Sequence, residues 1–289
     1  MQKITKELQS IGKDLLVSKK ADVVVGFRRG EKKGTAEPYF AMVPEESEAL
    51  FFDENCKKSL AKMLLQDGLE DMKVAVVLRG CDHRGVQLMI EENRIRREDL
   101  FLIGVQCPGS EESGFCRNCK QKTPPKDSVD RLLREEGREE GKAQSFEESF
   151  PEIEALEKLT EEQRFDYWKR QLNRCKRCYS CRNACPVCTC RVCIFDREKE
   201  AYLDPAKDQR AQHQFFHIIR AFHVGERCVG CGECARVCPE KIPLHLLHQK
   251  MKKDLASFYG NYEAGMDSLP GPLSHADAEE PDFFGKEEM

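Results

Sequence analysis

Eight cysteines in the C-terminal half of the chain follow one repeated spacing. Each set of four reads C-x2-C-x2-C-x3-C-P, in which x is any residue. The sets are Cys175, Cys178, Cys181 and Cys185, followed by Pro186, and Cys228, Cys231, Cys234 and Cys238, followed by Pro239. In bacterial ferredoxins this spacing holds 4Fe-4S clusters, because three thiolates of a run bind one cluster and the fourth binds its neighbour. The repeat therefore predicts two 4Fe-4S clusters.

The pattern also predicts which thiolates share a cluster. The first cluster is expected on Cys175, Cys178, Cys181 and Cys238, and the second on Cys228, Cys231, Cys234 and Cys185. Zinc sites use two C-x2-C pairs instead, and disulfide scaffolds are typical of small secreted domains. Two clusters held in this crossed way lie close together, so the pair is expected to pass single electrons.

A second group of cysteines follows a predicted βαβ unit, with apolar strands at 73–78 and 100–105 and a helix at 84–93 between them. Cys81 and Cys107 follow the two strands. Because neighbouring parallel strands lie about 4.8 Å apart, both are expected at the same carboxyl edge of the sheet. Cys116 and Cys119 form a C-x2-C pair in the next loop. We predict a third 4Fe-4S cluster on these four thiolates, with a structural zinc ion or scattered buried thiols as the alternatives.

Further cysteines and histidines lie near these groups. Cys188, Cys190 and Cys193 bring the count to seven cysteines in nineteen residues, more than one ferredoxin run requires. At least one of the three is expected to be an additional ligand, and reduced thiols packed near the cofactor are the alternative. Cys56 is expected to be a small core residue. His213 and His217 lie four residues apart on one predicted helix; a surface or interface pair is favoured over a metal site.

The composition excludes several classes of function. The 289 residues carry a formal net charge of -4, which offers no general case for binding nucleic acid. The apolar runs are too short to cross a bilayer, and residues 1–16 predict a charged amphipathic helix rather than a signal peptide. Sixteen cysteines without export indicate a reducing cytoplasm, where metal ligation is favoured over disulfides.

Composition shifts divide the chain into four predicted segments. Residues 1–126 are expected to form an α/β domain with a small, mainly parallel sheet, and 127–164 an acidic linker. Residues 165–262 are expected to form an α-rich dicluster ferredoxin domain with a helical insertion, and 263–289 a flexible acidic tail. Further predicted elements are strands at 21–27 and 39–43, helices at 53–66 and 205–222, and a last helix from Pro243 whose apolar face carries Leu244, Leu247, Met251, Leu255 and Phe258.

One basic loop offers a weaker candidate site. Residues 26–34 combine glycines with Arg28, Arg29 and Lys32, which could contact a phosphate; an ordinary connection between strands is the alternative. No G-x-G-x-x-G motif follows a strand anywhere in the sequence. Dinucleotide binding of the Rossmann type is therefore not indicated.

Two stretches resemble known redox proteins. Residues 73–109, KVAVVLRGCDHRGVQLMIEENRIRREDLFLIGVQCPG, resemble the sheet segment of the β subunits of deazaflavin (coenzyme F420)-dependent hydrogenases and formate dehydrogenases. RCYSCRNACPVCTC and RAFHVGERCVGCGECARVCPEKIPL resemble the dicluster modules of heterodisulfide-reductase-type and formate-dehydrogenase-linked complexes of anaerobes. Known β subunits of that family carry a flavin and usually place the ferredoxin module before the α/β part, whereas here it follows.

The resemblance implies an electron-transfer subunit of an anaerobic multi-subunit oxidoreductase, with other redox subunits as partners. Such a subunit needs no catalytic acid, base or nucleophile, and the sequence offers no constellation for one. The alternative is a flavin-bearing catalytic subunit that reduces a soluble carrier such as a deazaflavin, NAD(P) or a ferredoxin. An iron-sulfur sensor is less favoured because no helix-turn-helix signal is present.

Overall fold

A computed structural model of the chain describes residues 1–109, 116, 119, 121–135, 137, 150–197, 210–266 and 271–274. In these residues the N-terminal half is built on a five-stranded sheet with the order β2-β1-β3-β4-β5. The strands are β1 (Val23–Arg29), β2 (Ala36–Ala41), β3 (Val74–Leu78), β4 (Leu100–Val105) and β5 (Arg131–Leu133).

The sheet is mainly parallel, as the sequence predicts. Strands β1 and β2 form an antiparallel hairpin, whereas β3 runs parallel to both β1 and β4, and β5 runs parallel to β4. Val74 pairs with Leu100 and Leu78 with Gly104, so β3 and β4 end at the same edge. Every residue of β3 is buried, which explains its continuous apolar run.

The helices described in the structure are α1 (Gln2–Val17), α2 (Gly80–Glu91), α3 (Pro151–Glu157), α4 (Glu161–Leu172), α5 (Ser180–Asn183), α6 (Arg210–His223), α7 (Glu233–Arg236) and α8 (Leu244–Tyr259). Helix α1 buries Ile4, Leu8 and Leu15, spaced at helical intervals, in the core around the sheet. Helix α2 starts directly after β3 and thus places its first turn at the carboxyl edge of the sheet.

The C-terminal half packs the longer helices around two short ones. Cys181 lies in α5 and Cys234 in α7, and both are buried. Their core also contains Leu172, Phe216 and Ile242. This α-rich arrangement, together with the sheet, confirms the predicted fold class.

The two halves are in direct contact through α2. A Cβ atom at Gly85 would lie 2.9 Å from Cβ of Pro186, so glycine permits the close approach of the first cysteine run. Arg84 Nε donates to the Ala264 carbonyl oxygen at 2.9 Å, and its Nη2 lies 2.9 Å from Glu263 Oε2. Helix α2 is therefore covered by residues far away in the sequence.

Two predicted elements differ from the structure. The segment 53–66 is a series of turns that ends in a 3-10 helix at Ala61–Leu65, not an α-helix. Its carbonyl groups bind the buried Arg79 guanidinium, with Cys56 O at 3.0 Å and Lys58 O at 2.7 Å, and are thereby diverted from helical hydrogen bonds. Strand β5 joins the sheet although it lies in the predicted linker 127–164.

Other boundaries change less. Helix α6 replaces the predicted helix at 205–222, of which residues 205–209 lie outside the described residues. Phe258 is 52% exposed and so does not join the apolar core face of α8. The start of the predicted flexible tail is packed, since Ala264 is buried. Residues 275–289 of that tail and residues 138–149 of the predicted linker lie outside the described residues.

Candidate iron-sulfur sites

The first candidate site is a cavity walled by thiols from both cysteine runs. Apolar side chains, including Phe216, Ile242 and Leu244, form part of its wall. The thiols that line it belong to Cys175, Cys178, Cys181 and Cys238. These are the four residues that the crossed prediction assigns to one cluster, and the last of them comes from the second run.

The second candidate site has the same construction. Val187, Val224 and Val229 contribute to its wall, which also includes Arg220 and His248. Its thiols are Cys185, Cys228, Cys231 and Cys234. The fourth cysteine of each run therefore lines the cavity formed by the first three cysteines of the other run.

The two loops share one backbone conformation. The second residue after the first cysteine has a positive φ in each run, 50° at Arg177 and 67° at Gly230, and so does the residue after the second cysteine, 58° at Tyr179 and 69° at Gly232. Arg177 N donates a hydrogen bond to Cys175 Sγ at 3.3 Å, and Gly230 N donates in the same way to Cys228. An N–H donated to sulfur stabilises a thiolate, the form that binds iron.

The third group lies at the carboxyl edge of the sheet. Cys81 is in the first turn of α2, and its thiol interacts electrostatically with those of Cys107 and Cys119. The Cys116 thiol interacts in turn with Cys107 and Cys119. The structure thus brings the four predicted residues together. Cys107 also repeats the turn of the two runs, since Gly109 has φ 78° and its N–H donates to Cys107 Sγ at 3.4 Å.

Gly80 allows the backbone on either side of this third group to pack closely together. Gly80 N donates to the Lys122 carbonyl oxygen at 3.1 Å, and a Cβ atom at Gly80 would overlap the Gln121 carbonyl oxygen. Cys119 Sγ donates to that same Gln121 oxygen at 3.3 Å. The absence of a side chain at Gly80 therefore allows the strand-to-helix turn of Cys81 and the segment after Cys119 to meet.

The thiols fit ligands of a cationic centre. Burial raises the pKa of Cys181 to about 11 and the pKa of Cys107 above its ordinary value. A buried thiol without metal would stay protonated, whereas coordination to iron supplies the positive charge that a buried thiolate needs. In the described part of the chain, no three His, Cys, Asp or Glu side chains have the spacing of a site for one metal ion. Four thiols that bind the corners of one 4Fe-4S cube lie further apart than the ligands of a single metal ion, because the cube lies between them.

Three polar residues lie beside the cavities although the sequence analysis did not assign them to a cluster site: His217, Arg220 and His248. His217 Nε2 lies 3.2 Å from Cys175 Sγ. Arg220 Nη2 donates to the Cys181 carbonyl oxygen at 3.0 Å, and its Nη1 donates to His248 Nε2, also at 3.0 Å. His213 and His217 are both buried, so the predicted surface or interface pair is wrong. The four-residue spacing of those histidines was the one sequence signal for this buried polar layer.

The extra cysteines of the first run do not line either four-thiol cavity. Cys188, Cys190 and Cys193 face a separate pocket that also contains Lys62 and Arg182. Cys188 donates a hydrogen bond to the Cys185 thiolate and thereby lowers the pKa of Cys185, while Lys62 Nζ donates to the Cys188 carbonyl oxygen. Ligation by any of the three stays a prediction. Cys56 is buried in the core, as the sequence predicts.

The basic loop is the connection of the β1–β2 hairpin. Arg28 lies 5.3 Å from the centre of the Tyr39 ring, and Arg29 lies 4.7 Å from that of Phe51. The Lys32 carbonyl oxygen accepts the Thr35 hydroxyl at 2.7 Å. These contacts account for the conformation of the loop, and phosphate binding there stays a prediction.

Among the described residues, no helix combines the length and the apolar character that a membrane span requires.

Comparison with known proteins identifies relatives of this chain. The model of the 4Fe-4S binding domain family matches residues 223–243, which contain the second cysteine run. The β subunit of the F420-dependent formate dehydrogenase of Methanocaldococcus jannaschii is 22% identical, over 90% of this chain and 92% of its own length. The β subunit of F420-dependent formate dehydrogenase 1 of Methanococcus maripaludis is also 22% identical, over 87% of this chain and 88% of its own.

Among solved structures, a chain of the F420-reducing [NiFe] hydrogenase complex of Methanosarcina barkeri aligns with 40% of this chain and 44% of its own length, at 18% identity and a TM-score of 0.30. The resemblance predicted from residues 73–109 and from the cysteine runs is confirmed by the two full-length relatives and the 4Fe-4S match. Over most of its length the chain is similar to the β subunits of F420-dependent formate dehydrogenases, and its C-terminal half contains a match to the 4Fe-4S binding domain family.

Proposed function

We propose that the chain is the electron-transfer subunit of a multi-subunit oxidoreductase of the formate dehydrogenase or hydrogenase class. The observation that carries the proposal is the exchange of Cys185 and Cys238 between the two four-thiol cavities. Such an exchange serves to hold two clusters next to each other, and a 4Fe-4S cluster supplies reversible one-electron chemistry. The relatives are themselves named as subunits, which supports a place among partner subunits.

The chain's own residues have distinct tasks in this proposal. Eight thiolates hold the two clusters, and the N–H groups of Arg177 and Gly230 stabilise the first thiolate of each run. Apolar walls, such as Phe216 in one cavity and Val229 in the other, exclude water. No proton transfer or covalent step is asked of the protein.

The third group extends the path into the N-terminal half. The Cys231 thiol of the second cavity interacts electrostatically with Cys81 of the third group. The turn at Cys107 and Gly109 repeats that of the ferredoxin runs and suits a metal-bound thiolate. The eight cysteines with ferredoxin spacing in the same chain favour an iron-sulfur cluster over zinc at Cys81, Cys107, Cys116 and Cys119. The second cavity then lies between the other two.

Iron and acid-labile sulfide, measured on anaerobically purified protein, test the proposal. Three clusters require about twelve irons and twelve sulfides per chain, and the ferredoxin pair alone requires about eight. Zinc with about eight irons would assign zinc to the third group. Protein that lacks iron and sulfide after anaerobic reconstitution would contradict the electron-transfer function.

A second candidate is a flavin-bearing subunit that reduces a soluble carrier. The observation that favours it is that both full-length relatives are named F420-dependent. Acid extraction followed by fluorescence would reveal one flavin per chain. Loss of that flavin should then abolish carrier reduction while the iron content stays unchanged.

A further inference from the structure

Three arginines in the described structure are buried at exposed fractions of 6% or less: Arg79, Arg84 and Arg220. The first two have carboxylate partners. Arg79 Nε lies 2.7 Å from Asp82 Oδ2, and Arg84 Nη2 lies 2.9 Å from Glu263 Oε2. Arg220 forms no ion pair with any carboxylate of the described residues, and its Nε has no hydrogen-bond partner there. Burial of a charge without an opposite charge is costly, so a partner is required.

The surroundings of Arg220 point to that partner. Its guanidinium bonds the carbonyl of Cys181, whose thiol lines the first cavity, and the Arg220 side chain itself lines the second cavity. Four cysteine side chains interact electrostatically with the guanidinium: Cys185, Cys188, Cys234 and Cys181. His248 Nε2 accepts from Nη1 on the other side and holds the guanidinium in place. Arg220 therefore lies between the two cavities and faces thiols of both.

We propose that Arg220 is the shared counter-charge of the two iron-sulfur clusters and sets their reduction potentials together. The proposal rests on the proposed electron-transfer function. Each one-electron reduction adds negative charge near the guanidinium, and no bond forms or breaks. Attraction to the fixed positive charge favours the reduced form of either cluster, so both midpoint potentials are held at more positive values.

The test compares three variants of the full chain with iron and sulfide reconstituted. Arg220→Gln removes the charge, Arg220→Lys keeps it, and Arg210→Gln removes an exposed charge from the same helix. Redox titration monitored by electron paramagnetic resonance (EPR) measures both midpoints. At the wild-type midpoints, Arg220→Gln should show about a tenfold lower ratio of reduced to oxidised cluster at both sites, which is about 59 mV for a one-electron couple. In Arg220→Lys and Arg210→Gln, both midpoint potentials should stay close to the wild-type values.

Several outcomes would overturn the proposal. Arg220→Gln with both clusters in place and unchanged midpoints excludes the role, and a shift at one cluster alone excludes sharing. If Arg220→Gln does not retain its clusters, His248→Glu provides the second variant, because a carboxylate beside Nη1 offsets the guanidinium charge without removing it. Both midpoints should fall in His248→Glu, and unchanged midpoints contradict the proposal. A wild-type protein without 4Fe-4S signals refutes the electron-transfer function instead, so the two failures are distinguishable.

Discussion

Cys185 and Cys238 occupy equivalent positions in the two runs, each followed by proline, yet each lines the cavity of the other run. A short helix, α5 or α7, contains the third cysteine of each run, and the fourth cysteine follows it and lines the cavity of the other run. Pairs of residues far apart in sequence, such as Cys175 and Cys238, then belong to one site.

This exchange makes a prediction about double variants. Cys175→Ala and Cys238→Ala should each remove about four irons per chain, and the double variant should remove the same four, because both residues hold one cluster. Cys175→Ala combined with Cys185→Ala should remove about eight. Iron and sulfide analysis measures both results. The reverse pattern would mean that each run holds its own cluster.

His217 offers a prediction at one cluster only. Burial lowers the pKa of His217, so its ring is neutral and offers a single N–H, which at 3.2 Å is placed to donate to Cys175 Sγ. Hydrogen bonds to cluster sulfurs raise the reduction potential. His217→Phe should therefore lower the midpoint of the cluster on Cys175 and leave the other unchanged. His223→Phe, an exposed position on the same helix, is the control, and equal shifts in both variants would exclude the hydrogen bond as the cause.

Among the elements, the turn from β3 to α2 depends on a glycine. Gly80→Ala should push the segment at Gln121 away, because the new Cβ overlaps a backbone oxygen that cannot rotate aside. Iron should fall from about twelve to about eight per chain, with the ferredoxin pair intact. Gly225→Ala is the matched control, since its Cβ would have no neighbour closer than 3.4 Å. Retention of all the iron in Gly80→Ala would contradict this role.

The sequence predicts best those elements whose structure is determined by their own residues rather than by contacts with distant parts of the chain. The apolar runs of β3 and β4 reveal a parallel pair because both strands are buried on two faces. Strand β5 has three residues, too few for any periodicity, and is defined by its pairing with β4. The segment at 53–66 has helical spacing, but its carbonyls are taken by Arg79, which is distant in the sequence.

The residues of the candidate sites also fall into two groups, those that local spacing predicts and those that depend on distant contacts. Spacing alone predicts which thiols share a cavity, since a C-x2-C-x2-C loop constrains its own geometry. The role of Arg220 could not be predicted, because it depends on contacts with Cys181 and His248 and on the absence of a carboxylate nearby among the described residues. A lone arginine in a helical sequence gives no sign that it is buried.

On the scale of the whole molecule, the three thiol groups form a sequence of neighbours. The link from the second cavity to the third group is the interaction between Cys231 and Cys81. The link to the first cavity is the short segment that carries Cys181 and Cys185, since both of these cysteines interact electrostatically with Arg220. The middle position belongs to the cavity lined by Cys228, Cys231, Cys234 and Cys185.

This order predicts magnetic coupling. In fully reduced protein, the EPR signal of the third cluster should be broadened by its neighbour. Cys228→Ala should sharpen that signal because it removes the middle cluster, whereas Cys178→Ala, which affects the first cluster, should leave it broad. Equal sharpening in both variants would contradict the order.

The contacts that Glu263 and Ala264 make with helix α2 have a consequence for how the chain is assembled during its synthesis. Cys81 and Arg84 leave the ribosome early. Cys231, which interacts electrostatically with Cys81, and Glu263, which pairs with Arg84, follow much later. At ordinary rates of translation, the stretch between Cys81 and Cys231 takes roughly 8–30 s to make. During that interval Arg84 lacks its contacts with Glu263 and Ala264. Helix α2 is therefore covered only when the last part of the chain has been made.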